Sequence, residues 1–177
     1  VGAGTAGIPC ARTLLQAGHR VQVFEAEGAA GGRLASEQTP FGSFDAGAQY
    51  FTVRDERFAQ ALATVPGLCR PWSANTVRVL DGEGRVAAAS LPPREQHLVP
   101  SPAMDALAQR WAHPLHTLSG AQLHLQTRVL RIAREGARRW QLYAVRSGNG
   151  KPLAPQGFDI VLLATPFLVL TGTAIAV

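Results

Sequence analysis

The chain has 177 residues, enough for one domain or for one domain with a small insertion. Its 46% hydrophobic content is that of an ordinary folded globule. Seventeen basic against twelve acidic residues leave a net charge of +5, nearly all of the positive charge arginine, and no basic run carries interleaved aromatics, so nucleic-acid binding is not expected. The two cysteines, Cys10 and Cys69, lie at no metal or redox spacing and give no sign of an oxidising compartment.

The chain opens Val1-Gly2-Ala3-Gly4-Thr5-Ala6-Gly7, a G-x-G-x-x-G run. Residues 8–17 read as a helix with Ala11, Leu14 and Leu15 on its apolar face. Pro9 falls in the first turn, where its missing N–H costs little, and Gly18 is a helix stop. Cys10 is expected to pack within this helix. Residues 19–24 alternate like a strand and deliver Glu25 at its C-terminal end. Glycine turn, helix, strand and acid together form a dinucleotide fingerprint. Gly2 permits the tight turn, Gly4 lets the backbone approach a pyrophosphate, and Gly7 lets the helix pack close to the sheet. Phosphates then sit on free N–H groups at the helix N-terminus, where Thr5 and Ala6 lie. Glu25 would accept hydrogen bonds from ribose hydroxyls, and Ala26 beside it is a further candidate contact.

Gly28-Ala29-Ala30-Gly31-Gly32-Arg33 follows. Together with Glu25 it resembles the signature of FAD-dependent amine oxidases and their relatives. The resemblance implies that Gly31 and Gly32 pass close to the FAD pyrophosphate and ribityl chain, with Arg33 offering a charged fork to phosphate. Phe44-Asp45-Ala46-Gly47-Ala48-Gln49-Tyr50-Phe51-Thr52 then resembles the renalase-like branch of that group. It implies that Gly47 and Ala48 lie against the flavin ring and that Gln49 and Tyr50 face flavin or substrate. Phe51 reads as a core aromatic. Asp45 reads as a structural or ribityl contact ahead of a general base, since no partner histidine follows nearby.

Residues 55–63 read as a helix with Asp55 as N-cap. Residues 76–80 and 85–88, joined by Asp81-Gly82-Glu83-Gly84, read as a hairpin, with Trp72 packing under it. Val99-Pro100-Ser101-Pro102-Ala103-Met104-Asp105-Ala106-Leu107 resembles the family's Pro-Gly-Met-Asn-Ala-Leu helix start. Ala103 stands where the family has glycine, so it is strained if that position needs a positive φ. Pro102 stands near the first helical turn, and Ala106, Leu107 and Trp111 mark the apolar face. Residues 122–127 read as a strand with His124 on its polar, surface side. In the family a valine after this strand binds adenine through its backbone, which implies Val129 here. Residues 132–135 and 140–145, joined through Gly136, read as a hairpin, and with Gly157-Phe158 they would complete a β-meander. Residues 159–166 match the family's return strand, with Ala164 and Thr165 at the cofactor-side turn before Pro166. Residues 160–177 carry no charge, but Pro166 interrupts them, which argues for a buried strand and turn rather than a membrane span.

The resemblance implies an α/β fold. It consists of a Rossmann-like FAD-binding domain from residues 1–65 and 99–177, with a β-meander, and a small β-rich insertion at 66–98 that begins the substrate domain. It implies an FAD-dependent oxidase whose small-molecule donor, a reduced nicotinamide or an amine, gives up a hydride, and a cytoplasmic location is the default expectation. Electrons pass to O2 with release of H2O2. The flavin carries the chemistry, so no protein residue is singled out as catalytic, and no Ser-His-Asp set, paired carboxylates or metal cluster competes. Carotenoid desaturase and protoporphyrinogen-oxidase types share this front half, and a non-catalytic nucleotide-binding fragment is the remaining alternative. Only Val1 precedes the fingerprint and the family's second half does not follow, so both ends are read as cut, and this stretch alone is expected to bind FAD weakly.

Overall fold

A four-residue strand with a core on each face sets the layers. In β1 (Val21–Phe24), Val23 points into one apolar cluster and Phe24 into another, because successive strand side chains alternate. The computed structural model describes residues 1–72, 80–86, 96–135, 139–148, 150, 152–153, 157–165 and 174–176. On the Val23 side lie α1 (Gly7–Gln16) and α3 (Asp105–Thr117), which contribute Ile8, Ala11, Leu107, Trp111 and Leu115 to the first core. Both helices bury apolar residues at helical spacing. On the Phe24 side, Val129, Ile132, Leu142 and Ala144 form the second core.

β1 pairs in parallel with β6 (Ala121–His124), Val21 opposite Ala121 and Phe24 opposite His124. Val1 extends this arrangement on the other side. Gly2 N donates to Phe24 O at 2.8 Å, Val1 N to Leu162 O at 2.7 Å, and Ala164 N to Val1 O at 2.8 Å. The last two bonds straddle Leu163, as bonds between parallel strands do. The expected return strand is therefore an extended segment held through one residue, with Ile160 73% exposed.

The meander is β7 (Thr127–Glu135) against β8 (Arg139–Arg146), from Thr127 opposite Arg146 to Glu135 opposite Arg139, with an irregularity between Val129 and Arg131. β9 (Pro152–Leu153) adds to β8, β10 (Ala174–Ala176) to β7, and Phe158 bridges Trp140. β7 begins earlier than the expected hairpin, and the expected strand over 122–127 is broken. Leu125 and Gln126 form a turn with Gln126 at φ 52°. The turn holds because Gln126 N donates to Glu27 O at 2.8 Å and Thr127 N to Glu25 O at 2.7 Å.

Between these layers the chain makes the hairpin β2 (Ser36–Thr39) and β3 (Gly42–Asp45), then α2 (Glu56–Ala63). Asp55 caps α2, accepting from Arg57 N at 2.8 Å. Phe51 packs on the first core, 5.5 Å and edge-on to Phe58. β4 (Cys69–Pro71) and β5 (Leu98–Pro100) pair antiparallel. Of the expected hairpin, the turn over 81–84 and the Leu80–Val86 bridge are seen, while 76–79 and 87–88 lie outside the described residues, as do Gly136 and Pro166.

Two local expectations are corrected. Cys10 is exposed, on the solvent side of α1. Ala103 is buried without a left-handed backbone, so its departure from glycine carries no strain. Pro102 lies just ahead of α3, which begins at Asp105, and so stands near the first turn as expected. No helix among the described residues is long and apolar enough to cross a membrane.

Candidate functional site

Two glycine-rich loops meet at the C-terminal end of β1. Gly2 turns out of the sheet at φ +98°, and a Cβ there would sit 2.8 Å from Ala164 O. A Cβ on Gly7 would run into the Gly2 carbonyl, so α1 starts hard against the turn. The second loop is pinned beneath the first by Gly31 N donating to Ala3 O at 2.9 Å. Gly32, at φ +55°, then faces Gly4: a Cβ on Gly32 would lie 3.1 Å from Gly4 Cα. A Cβ on Gly4 would meet only Gly32 Cα, at 3.9 Å, so Gly4 is otherwise open.

Glu25 ties these pieces to β1. Its Oε2 accepts from Ala3 N at 2.6 Å and its Oε1 from Glu27 N at 3.0 Å, with Ala26 half-buried between. Each carboxylate oxygen has a second lone pair, so Glu25 can still accept from hydroxyls. Thr127 N, bonded to Glu25 O, starts β7 beside this acid, and Val129 follows two residues on, buried against Phe24.

The hairpin approaches from the other side. Ala48 N donates to Arg33 O at 2.8 Å, and a Cβ on Gly47 would collide with that same oxygen. Arg33, Gly47 and Gln49 are exposed, and Tyr50 is half-buried. Asp45 has a structural task. Its Oδ1 accepts from Ser36 Oγ at 2.8 Å and from Met104 N at 2.9 Å, while Ser36 Oγ accepts from Asp105 N at 3.1 Å. The hairpin thus caps α3, whose own N-cap Met104 has no side-chain acceptor. Further along α3, Gln109 Nε2 donates to Ala30 O at 2.9 Å and fixes the second glycine loop. Neither contact has a sequence signal, since the partners are far apart in the chain.

The geometry fits a pyrophosphate. α1 has no side-chain cap, and among the described residues the N–H groups of Gly4, Thr5 and Ala6 have no protein acceptor. A helix N-terminus with free N–H groups attracts anions. Thr165 Oγ1 is buried without a partner among the described residues, next to Gly2. An open groove of about 1000 Å³ runs elsewhere, past Cys10, Leu14, Val21, Gln122, Phe158 and Leu162. It takes in Gly2 and Gly7 but not Gly4, Glu25, Gly32 or Arg33, so it is distinct from the converging loops.

His124 departs from expectation. Its ring stacks on Phe24 at 4.7 Å and 12°, and its Nε2 lies 3.1 Å from Gln22 Oε1. Burial, helped by the Arg146 charge, lowers its pKa. It is a half-buried packing residue rather than a free surface histidine.

The family described as flavin-containing amine oxidoreductases matches residues 5–103. The match runs from the fingerprint loop, through the second glycine loop and the hairpin, to the residues just ahead of α3. It spans more than half of the 177 residues. The chain therefore belongs to the flavin-containing amine oxidoreductases and is an FAD-dependent oxidoreductase.

Proposed function

We propose that this chain works as a renalase-like flavin oxidase acting on a reduced nicotinamide-type or amine donor. Its FAD-binding domain would be Rossmann-like, built from residues 1–65 and 99–177, with residues 66–98 inserted as the start of a substrate domain. The observation that carries the reading is the face-to-face approach of Gly4 and Gly32 above free helix N–H groups. Two backbones without side chains touch directly beside N–H groups that lack a protein acceptor, where a diphosphate would lie, and an ordinary glycine turn has no need of the second loop. The side-by-side placement of residues 162–164, Val1, β1 and β6 supports the Rossmann-like part.

Within this reading, Gly2 and Gly7 shape the turn, and the N–H groups at Gly4, Thr5 and Ala6 hold the pyrophosphate. Glu25, with Ala26 beside it, receives the ribose hydroxyls, and the Val129 backbone receives adenine. Gly32 and Arg33 follow the pyrophosphate and ribityl chain. Gly47 and Ala48 border the ring, Gln49 and Tyr50 meet ring or donor, and Ala164 and Thr165 close the cofactor-side turn. Bound FAD supplies the hydride acceptor, with O2 taking the electron pair and two protons as H2O2. Among the flavin enzymes that share this front half, the Gly47-Ala48-Gln49-Tyr50-Phe51-Thr52 stretch favours the renalase-like type over carotenoid desaturases and protoporphyrinogen oxidases.

The test is the visible absorption spectrum of the purified protein during titration with FAD. A saturable shift of the flavin bands is expected, followed by H2O2 release with reduced nicotinamides. A spectrum identical to free FAD at every ratio would remove the cofactor assignment. Flavin binding with H2O2 formed from neither nicotinamides nor amines would remove the oxidase assignment.

A further inference from the structure

We propose that Tyr50, Trp72 and His97 form a stacking site for a planar ring. The proposal rests on the oxidase reading and adds the residues that receive the donor.

Three rings from three separate segments gather here. Tyr50 and His97 stack at 4.1 Å and 30°, Tyr50 and Trp72 at 5.1 Å and 22°, and Trp72 lies 6.2 Å from His97. The aromatic contacts in the first core differ. Phe51–Phe58 and Phe58–Trp111 meet edge-on, at 69° and 76°. The outer trio stays half-buried, and neither Tyr50 nor Trp72 belongs to either core. Tyr50 lies near-parallel to both neighbours while Trp72 and His97 are tilted 45° to each other, and all three stay partly exposed, so an outer face of the stack is open to one more ring.

The fold holds this surface in place. Trp72 N donates to His97 O at 2.8 Å, and Phe51 and Leu98 exchange backbone bonds of 3.0 and 2.8 Å. The rings are therefore ordered before a ligand arrives, which lowers the entropy cost of binding. Phe51 packs on the first core while Tyr50 joins the stack, as neighbouring residues in extended backbone do. Tyr50 also follows Ala48, bonded to Arg33, by two residues, so the stack is tethered to the second glycine loop. A planar ring suits this surface, both the dihydropyridine of a reduced nicotinamide and the cationic pyridinium it becomes, whereas an aliphatic chain gains only ordinary apolar contact.

The experiment titrates the FAD-supplemented protein with 1-methylnicotinamide while tryptophan fluorescence is followed, with 1-butylamine as the ring-free control. Saturable quenching by the nicotinamide alone is expected, and Trp72→Leu should abolish it. His97→Leu keeps the reporter and should weaken apparent affinity on the order of tenfold. Trp72→Leu should raise KM for the donor more than it lowers kcat, and Trp72→Phe, which keeps a smaller flat face, should recover part of that loss. Should Trp72→Leu not fold, Tyr50→Leu and His97→Leu give the same reading. Quenching that never saturates, persists in Trp72→Leu, or leaves His97→Leu at the parent affinity overturns the stacking site. Saturable quenching in a protein that binds no FAD leaves this site standing and removes the flavin reading. FAD binding without quenching does the reverse.

Discussion

Replacing Gly4 and Gly7 by alanine separates cofactor binding from folding within one loop. A Cβ on Gly4 meets only Gly32 Cα, at 3.9 Å, and Gly4 is not among the residues with positive φ. The protein has room for that methyl. Glycine to alanine at a compatible site stabilises by about 0.4–1 kcal/mol through the unfolded chain. For a chain of this size that raises Tm by about 1–4 °C. With phosphate lying over this loop as proposed, the same methyl would keep it from at least one of the free N–H groups. A hydrogen bond to a charged group contributes about 1.5–3 kcal/mol, so FAD should bind on the order of 10- to 100-fold more weakly. Gly7→Ala reverses the pattern. Its Cβ runs into the Gly2 carbonyl, a backbone atom that cannot swing away. Overpacking of this kind costs about 1–3 kcal/mol, and Tm should fall by about 3–10 °C. The assays are thermal unfolding by circular dichroism without cofactor and FAD titration by visible absorption. A Gly4→Ala protein that binds FAD as tightly as its parent would refute the placement of phosphate over this loop. A Gly7→Ala protein with unchanged Tm would refute the close helix approach.

The α3 cap is tested by Asp45→Ala, which strips acceptors from Met104 N and Ser36 Oγ. It should cost about 0.5–2 kcal/mol in chemical denaturation, and no loss would contradict the capping role. The low pKa of His124, set by burial and then Arg146, means the folded protein favours the neutral ring. The unfolded chain takes up its proton first as pH falls below about 6.5. Stability from this residue is therefore complete above that pH and declines as pH drops toward the lower folded value. His124→Gln should flatten the Tm–pH curve across that window, and an unchanged slope would rule the residue out as its cause. A thiol reagent should label Cys10, which is exposed, in a fast phase, and Cys69, whose thiol pKa burial raises, in a slow one. Equal rates would contradict the placement of Cys10.

The elements that were legible carry their instructions locally. α1, bounded by Gly7 and Gly18, and β1, ending in Glu25, follow from period and punctuation within a few residues. So does α2 with its Asp55 cap. Misreadings fall where a distant partner decides. Leu125 and Gln126 look like strand, but backbone bonds to Glu25 and Glu27 turn them, and Gln126 takes a left-handed conformation no glycine advertises. His124 follows strand alternation to a polar face, yet parallel pairing with β1 sets it opposite Phe24, whose ring covers it. Cys10 adjoins apolar residues in sequence, while helical rotation carries it away from Ala11 and into solvent.

For the site the division is similar. The amino-acid sequence alone supplied two glycine loops, an acid at a strand end and a small-residue stretch, whose spacings act through backbone geometry within each segment, while the flavin was implied by their resemblance to FAD-dependent amine oxidases. Only the tertiary structure decided that Gly32 faces Gly4, that Ser36 and Asp45 cap a helix beginning at Asp105, and that Tyr50, Trp72 and His97 share a stack. Each of these joins segments separated by long stretches of chain. Such contacts form when burial of the two cores brings the layers together, and no local propensity encodes them.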